Sequence, residues 1–283
     1  GGDMTDPESI KIFILRFTRK LKRDRVSASA AESAYFVIMG FVPFFMLLLT
    51  LIQYTKTTPE MMMSILVELL PESFYYIIAG IVEDLFTKSP AILSGTVIAA
   101  VWATSRGVLA ITSGLNSIRG VRENRNYFYM RARSGVFLIF LVGAIFMSMM
   151  VLLFGNRIQA LLTDLLPDVT GKTEMIVSIR ATSAIVILAL IFLALYCALP
   201  NCKLSMIRQV PGAVLAAVTW AILSYGFSIY FTYFMTASSI YGSLTTVIML
   251  MLWLYFCMWL LFLGAEVNCY LEYPDAFQSA EIL

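Results

Sequence analysis

The sequence contains no histidine, and this absence removes the commonest metal ligand and the commonest general base of enzymes. It has four cysteines, and their spacing fits no metal site: Cys197, Cys202, Cys257 and Cys269. It also lacks a glycine-rich phosphate loop and a Ser-His-Asp set. These absences predict a protein without a metal, without a cofactor and without enzyme activity.

Charged residues are scarce, at 13% of the chain against 60% hydrophobic residues, and the mean hydropathy is +0.83. A soluble domain of this composition would have too little polar surface to stay dispersed. Six apolar stretches are long enough to cross a bilayer, which takes about 20 residues: 28–53, 90–113, 134–155, 177–199, 212–235 and 244–268. The sequence therefore predicts an all-α, polytopic membrane protein with six transmembrane helices and short amphipathic helices at the membrane interface.

The basic residues are unevenly distributed along the chain. Of the 20 lysines and arginines, seven lie in 11–25, five in the 119–133 loop and two in the 200–211 loop. Because basic residues stay on the cytoplasmic side of a membrane, these three segments should face the cytoplasm. Six spans then return the C-terminus to the same side. We expect a multi-pass membrane protein with both termini in the cytoplasm.

This topology divides the chain into three parts. Residues 1–27 form a cytoplasmic, basic and amphipathic segment, in which residues 1–3 before Met4 resemble residues left by expression cloning. Residues 28–271 form the six-helix membrane domain. Its external segment 54–90 is predicted to hold two short amphipathic helices broken at Pro71. Residues 272–283 form a cytoplasmic tail.

Two basic segments predict contact with anionic lipid headgroups. Arg19 and Lys20 lie on a basic face of the N-terminal segment, and Arg122 and Arg125 lie beside aromatic residues in the 119–133 loop. For the N-terminal segment, a solvated anchor that only sets topology is the favoured interpretation, and contact with an anionic leaflet is the alternative. Arginines among aromatics can also bind RNA by stacking, but at a membrane edge an interfacial anchor is the favoured interpretation. The predicted partners are membrane lipids and not nucleic acid, and a homo-oligomer is left open.

Three ionisable residues fall inside or at the edge of predicted spans: Glu32, Arg106 and Glu266. A charge in hydrocarbon is costly unless it faces a partner or a water-filled cavity. All three fall in the predicted cytoplasmic half, with Asn116 and Asn268 as polar neighbours. They predict either bridges between helices or a polar substrate cavity. We expect Arg106 to lie close to Glu266 and to face such a cavity rather than lipid.

Three stretches resemble the YihY/BrkB family of bacterial inner-membrane proteins. They are ASAAESAYFVIMGFVP at 28–43, WATSRGVLAITSGLNSIRGV at 102–121, and a C-terminal group that includes LPN at 199–201 and GAEVN at 264–268. Six residues fit the family pattern as they stand, whereas Glu32 departs from it: Arg106, Asn116, Pro200, Gly242, Glu266 and Asn268. The family was once labelled ribonuclease BN, and the resemblance implies a role in envelope biology or transport.

These observations lead to three hypotheses of function. The first is a transporter or translocation factor for an amphipathic or anionic, lipid-like envelope substrate, with Arg106 as the contact for its charge. The second is a membrane scaffold in envelope maintenance, whose charges only hold helices together. The third is a membrane-bound ribonuclease, which the lack of a metal-ligand set and of histidine disfavours.

Overall fold

The computed structural model describes residues 7–53, 58–61, 63–64, 79–80, 82–83, 90–137, 173–234 and 242–274. Within these ranges the chain forms helices joined by turns and contains no strand, as an all-α fold requires. The long helices are α1 (Pro7–Arg23), α2 (Val26–Gln53), α3 (Pro90–Ile118), α4 (Thr173–Ala198), α5 (Met206–Phe234) and α6 (Gly242–Glu272). Residues 127–137 are also helical.

Five of the six predicted apolar stretches coincide with helices α2 to α6, while most of the stretch 134–155 lies outside the described residues. Two segments of the described chain are long and apolar enough to cross a membrane: Met206–Tyr230 in α5 and Val247–Glu272 in α6. The 26 residues of the α6 segment extend about 39 Å at about 1.5 Å per residue, against a hydrocarbon core of about 30 Å. The arrangement with six spans stays a prediction.

Helix ends follow from local backbone chemistry. Gly120, with a φ of +63°, ends α3, and the Val121 N–H donates to the Asn116 carbonyl oxygen at 2.9 Å. This is a helix end closed by a left-handed glycine, which carries no steric penalty there. Between α1 and α2 the left-handed residue is Arg25, with a φ of +56°. A left-handed conformation at a residue other than glycine is unfavourable by roughly 1 kcal/mol, so contacts around this corner must hold it.

The chain divides into two compact units. The first comprises residues 1–34, 110–125 and 139–283, and in it α5 packs against both α4 and α6. Glycines bring α5 and α6 into close contact: a Cβ atom added at Gly264 would lie 2.6 Å from the carbonyl oxygen of Gly212. The Tyr196 hydroxyl of α4 donates to the Leu261 carbonyl oxygen of α6 at 2.7 Å. Small residues at a helix interface are typical of packing in lipid, where van der Waals contact drives association.

The second unit comprises residues 35–109 and 126–138. Here the C-terminal part of α2 packs closely on the first part of α3. The Thr104 hydroxyl donates to the carbonyl oxygen of Gly40 at 3.0 Å, and a Cβ atom at Gly40 would lie 2.9 Å from the Thr104 Cα. Gly107 makes a similar close approach to Val37. The predicted pair of amphipathic helices broken at Pro71 lies almost wholly outside the described residues.

Candidate functional site

The first unit holds three groups of buried and half-buried polar side chains, which we call together the polar network. Its members come from α1, α3, α5, α6 and the loops beside them: Lys20, Asp24, Asn116, Arg119, Glu123, Arg125, Gln209, Glu266, Asn268 and Glu272. Ionisable and amide groups out of water need hydrogen-bond partners, so each member's partners show what the network does.

Lys20 lies near the end of α1 with only 2% of its surface exposed. Its ammonium group donates to the Asp24 carboxylate, to Glu266 Oε2 at 3.0 Å and to the Ile118 carbonyl oxygen at 3.3 Å. Burial lowers the pKa of Lys20, but the charge of Glu266 and the hydrogen bond to Asp24 outweigh burial, so its pKa lies above the ordinary value. A single cation thus connects α1 with the C-terminal end of α3 and with α6.

Glu266 is fully enclosed by protein. Its Oε2 atom accepts from Lys20, while its Oε1 atom has no hydrogen-bond partner within the part of the chain that the structure describes. An unpaired carboxylate at such a site would be strongly destabilising, so Lys20 supplies the compensating charge that Glu266 needs.

A second ion pair lies nearby in the polar network. Arg119, just after α3, pairs with the carboxylate of Glu272 at the end of α6 and donates to Gln209 Oε1 at 2.7 Å. Gln209, which is fully buried in α5, donates to Glu272 Oε1 at 3.2 Å. The three side chains close a triangle between α3, α5 and α6.

Asn268 connects α6 to the backbone of α5 beside Pro211, a residue that has no N–H group to offer. The Asn268 side chain accepts from the Gly212 N–H at 2.7 Å and donates to the Gln209 carbonyl oxygen at 3.0 Å. Both ends of this buried amide are therefore satisfied by main-chain groups.

Asn116 organises the loops that follow α3 and α4. It donates to Glu123 Oε2 at 2.7 Å and accepts from the Asn201 N–H at 2.8 Å. Glu123 accepts two side-chain bonds from Arg125, at 2.7 and 2.6 Å, and Arg125 also donates to the Leu199 carbonyl oxygen. Hydrogen bonds from Arg125 are the main cause that holds the pKa of Glu123 below its ordinary value.

Arginines of the second unit have a different environment. Arg106 is exposed, and its guanidinium carbon lies 5.8 Å from the centre of the Phe36 ring. Arg131 is buried, donates to the Trp102 carbonyl oxygen and lies over the Trp102 ring, 4.3 Å from its centre. No ion pair joins either arginine to a carboxylate among the described residues.

The sequence-predicted residues thus fall into different environments. Glu266, Asn268 and Asn116 are buried and bridge helices or loops, whereas Glu32, Arg19 and Arg122 are exposed. The predicted contact of Lys20 with a lipid headgroup needs a correction. The Lys20 ammonium group is enclosed and holds two carboxylates, so it does not lie on the surface where a lipid headgroup would meet it. Arg106 belongs to the second unit, and its closeness to Glu266 stays a prediction.

Sequence reasoning missed several members of the polar network: Asp24, Arg119, Glu123, Gln209 and Glu272. All lie at or beyond helix ends, where a charged or amide side chain is ordinarily hydrated and carries no signal. For Arg131, the sequence predicts only a place among the five basic residues of the 119–133 loop. The described residues hold no group of three His, Cys, Asp or Glu side chains that could bind a metal ion.

Comparisons with known proteins match most of the length of the chain. A family model described as "Virulence factor BrkB" matches residues 17–281. The ribonuclease-like protein YfkH of Bacillus subtilis (strain 168) is 32% identical over 250 residues, which cover 87% of this chain and 90% of YfkH. The UPF0761 membrane protein VV1_0885 of Vibrio vulnificus (strain CMCP6) is 24% identical over 95% of this chain and 85% of its own length. No solved structure matches the chain.

Proposed function

Because the chain belongs to the BrkB virulence factor family of membrane proteins, we propose that it translocates an amphipathic, anionic, lipid-like substrate of the bacterial envelope. In this proposal the chain crosses the inner membrane six times with both termini in the cytoplasm. The charged group of the substrate binds at Arg106, while the apolar part stays in lipid or against apolar helix faces.

The environment of Arg106 is the observation that carries the proposal. Arg106 lies in the apolar helix α3, next to an aromatic ring, and the described residues include no carboxylate paired with it. An arginine at membrane depth is unfavourable by roughly 2.5–3.5 kcal/mol on insertion scales. An anionic group of a substrate would offset that cost, and it would make Arg106 a binding residue rather than a bridge between helices.

An apolar groove between α5 and α6 supports the amphipathic part of the proposal. It encloses about 420 Å³. None of its described lining residues is charged, and they are Leu223, Gly226, Phe227, Tyr230, Met249 and Leu252. Such a groove suits a hydrocarbon chain, since its walls offer dispersion contacts and almost no polar partners.

The polar network supports a second candidate function, a scaffold that holds envelope components without transport. Its ion pairs and amides bridge helices and leave few unsatisfied groups, as a structural role requires. The two candidates separate in proteoliposomes that contain a fluorescent phosphatidylglycerol in both leaflets. A transporter makes the inner-leaflet lipid accessible to an impermeant quencher faster than in protein-free vesicles, whereas a scaffold leaves the rate unchanged.

The proposed topology has its own test. A single cysteine at position 122, in a variant without the four native cysteines, should react with an impermeant thiol reagent from the cytoplasmic side. Labelling from the external side would contradict the orientation derived from the basic residues.

A further inference from the structure

Arg131 is the most unusual charged residue of the second unit. Only 5% of its surface is exposed, yet two of its guanidinium nitrogens, Nε and Nη1, are buried without a hydrogen-bond partner in the described part of the chain. The third nitrogen, Nη2, donates to the Trp102 carbonyl oxygen. A guanidinium has five N–H groups in a fixed fork, so much of its donor capacity at this site is unused.

Unsatisfied buried donors are rare in native proteins because each forfeits hydrogen bonds that water would have made. The positive charge of Arg131 makes the deficit larger. Burial lowers the pKa of Arg131, and the positive charge of Arg106 lowers it further, although Tyr127 acts in the opposite direction. Among the described residues, the surroundings of Arg131 thus contain a second cation and aromatic rings, and no carboxylate acts on its charge.

We infer that Arg131 and Arg106 together form a binding site for a phosphate group, carried by a membrane lipid or free as inorganic phosphate. The oxygens of a phosphate accept charge-assisted hydrogen bonds from guanidinium N–H groups, and the Nε and Nη1 donors of Arg131 are both unused. Arg106, the more exposed of the two, adds the second positive charge. This inference rests on the proposed function in so far as the lipid source of the phosphate is concerned.

Aromatic rings define the wall of the site. Trp102 covers one face of the Arg131 guanidinium and is 48% exposed, and Tyr127 makes an edge-to-face contact with Trp102 at 6.4 Å. Phe36 lies beneath Arg106. Rings of this kind hold a guanidinium in place through its flat face, so the position of Arg131 is fixed.

The contact between Trp102 and Arg131 offers a direct readout of phosphate binding at this site. The chain has four tryptophans, Trp102, Trp220, Trp253 and Trp259, so protein labelled with 5-fluorotryptophan gives four fluorine resonances. Trp102→Phe identifies the resonance of Trp102 by its loss. The labelled protein in maltoside micelles is titrated separately with inorganic phosphate, with short-chain phosphatidylglycerol and with the phosphatidylcholine of the same chain length.

We expect the Trp102 resonance to shift saturably with phosphatidylglycerol or with inorganic phosphate, and the titrant that binds more tightly identifies the source of the phosphate. Arg131→Gln should abolish the shift, and Arg106→Gln should weaken binding by at least about tenfold, as for the loss of one charge-assisted contact. Arg131→Lys keeps the charge but loses the fork, so it should also weaken binding, and it serves if Arg131→Gln does not fold. Arg133→Gln, a change two residues along the same helix, is the matched control and should bind as the unaltered protein does.

A Trp102 resonance that responds to neither titrant, or that shifts equally in the Arg131 variants, would overturn the inference. The outcome does not depend on transport. If Trp102 responds but the protein moves no lipid, the binding site stands and the proposed function fails. If lipid moves while Trp102 stays silent, the proposed function stands and the site is refuted.

Discussion

Lys20 and Glu266 are separated by 246 positions in the sequence, and the Lys20 ammonium group donates to the Glu266 carboxylate at 3.0 Å. Both side chains are buried, at 2% and 0% exposure. The pair attaches the basic N-terminal helix α1 to α6. It gives the basic segment a structural role beyond the topology signal that its composition predicts.

Removing Lys20 should therefore destabilise the first unit. Lys20→Met leaves Glu266 buried without its counter-charge, and we expect a loss of about 3–5 kcal/mol in the free energy of unfolding. The double variant Lys20→Met/Glu266→Gln should recover part of this loss, because the buried charge of Glu266 is removed while Asp24 keeps Arg23 as a partner. Thermal unfolding in detergent measures the stability of the single and the double variant. The control is Lys22→Met, which changes an exposed lysine of the same helix. A Lys20→Met protein as stable as that control would show that the pair contributes nothing.

The contact between Gly212 and Gly264 gives a second prediction. In Gly264→Ala the new methyl group would lie 2.5 Å from the Tyr196 hydroxyl oxygen and 2.6 Å from the Gly212 carbonyl oxygen. The helices would have to move apart, and we expect a loss of about 1–3 kcal/mol. Gly226→Ala is the matched control, since no atom of the described residues lies within 4 Å of a Cβ atom at Gly226 of α5. Equal melting temperatures of the two variants would refute the close packing of α5 on α6.

The pair of Glu123 and Arg125 predicts a pH dependence. Hydrogen bonds from Arg125 are the main cause that lowers the pKa of Glu123 in the folded protein. The contribution of Glu123 to folding stability is therefore present above the unfolded pKa of about 4.3, and it is lost as the pH falls through the folded pKa. Glu123→Gln should therefore cost more stability at neutral pH than in acid.

Unfolding at the two pH values, with Glu32→Gln as the exposed control, measures this difference. A loss of stability in Glu123→Gln that is the same at both pH values would show that the charge of Glu123 is not what stabilises the loop.

We also expect no ribonuclease activity, although one relative carries a ribonuclease-like name. The chain has no histidine, and its described residues include no cluster of ligands for a catalytic metal. Purified protein should leave transfer RNA intact in the presence of Mg²⁺, Mn²⁺ or Zn²⁺. Cleavage that follows the protein through purification, and that disappears in Glu266→Gln, would contradict this expectation.

The helices could be predicted from the sequence because length and hydropathy are local properties, and five apolar stretches coincide with helices. The buried polar residues Glu266, Asn268 and Asn116 could be identified because polar groups in apolar stretches stand out. The partner of Glu266 could not be identified, because composition does not distinguish Lys20 from the other basic residues among the seven in the N-terminal segment. Only the tertiary position of α1 distinguishes the enclosed Lys20 from the exposed Arg19. The burial of Arg131 could not be predicted for the same reason, since it depends on where Trp102 lies.

Arg106 provides the most direct test of the central claim, that this membrane protein moves an anionic amphipathic substrate. In proteoliposomes, Arg106→Gln should reduce the rate of phosphatidylglycerol translocation to that of protein-free vesicles, while its melting temperature stays at that of the unaltered protein. Arg208→Gln, which changes an exposed arginine of α5, should keep the full rate. Full translocation by Arg106→Gln, or a loss of rate that only accompanies unfolding, would contradict the account.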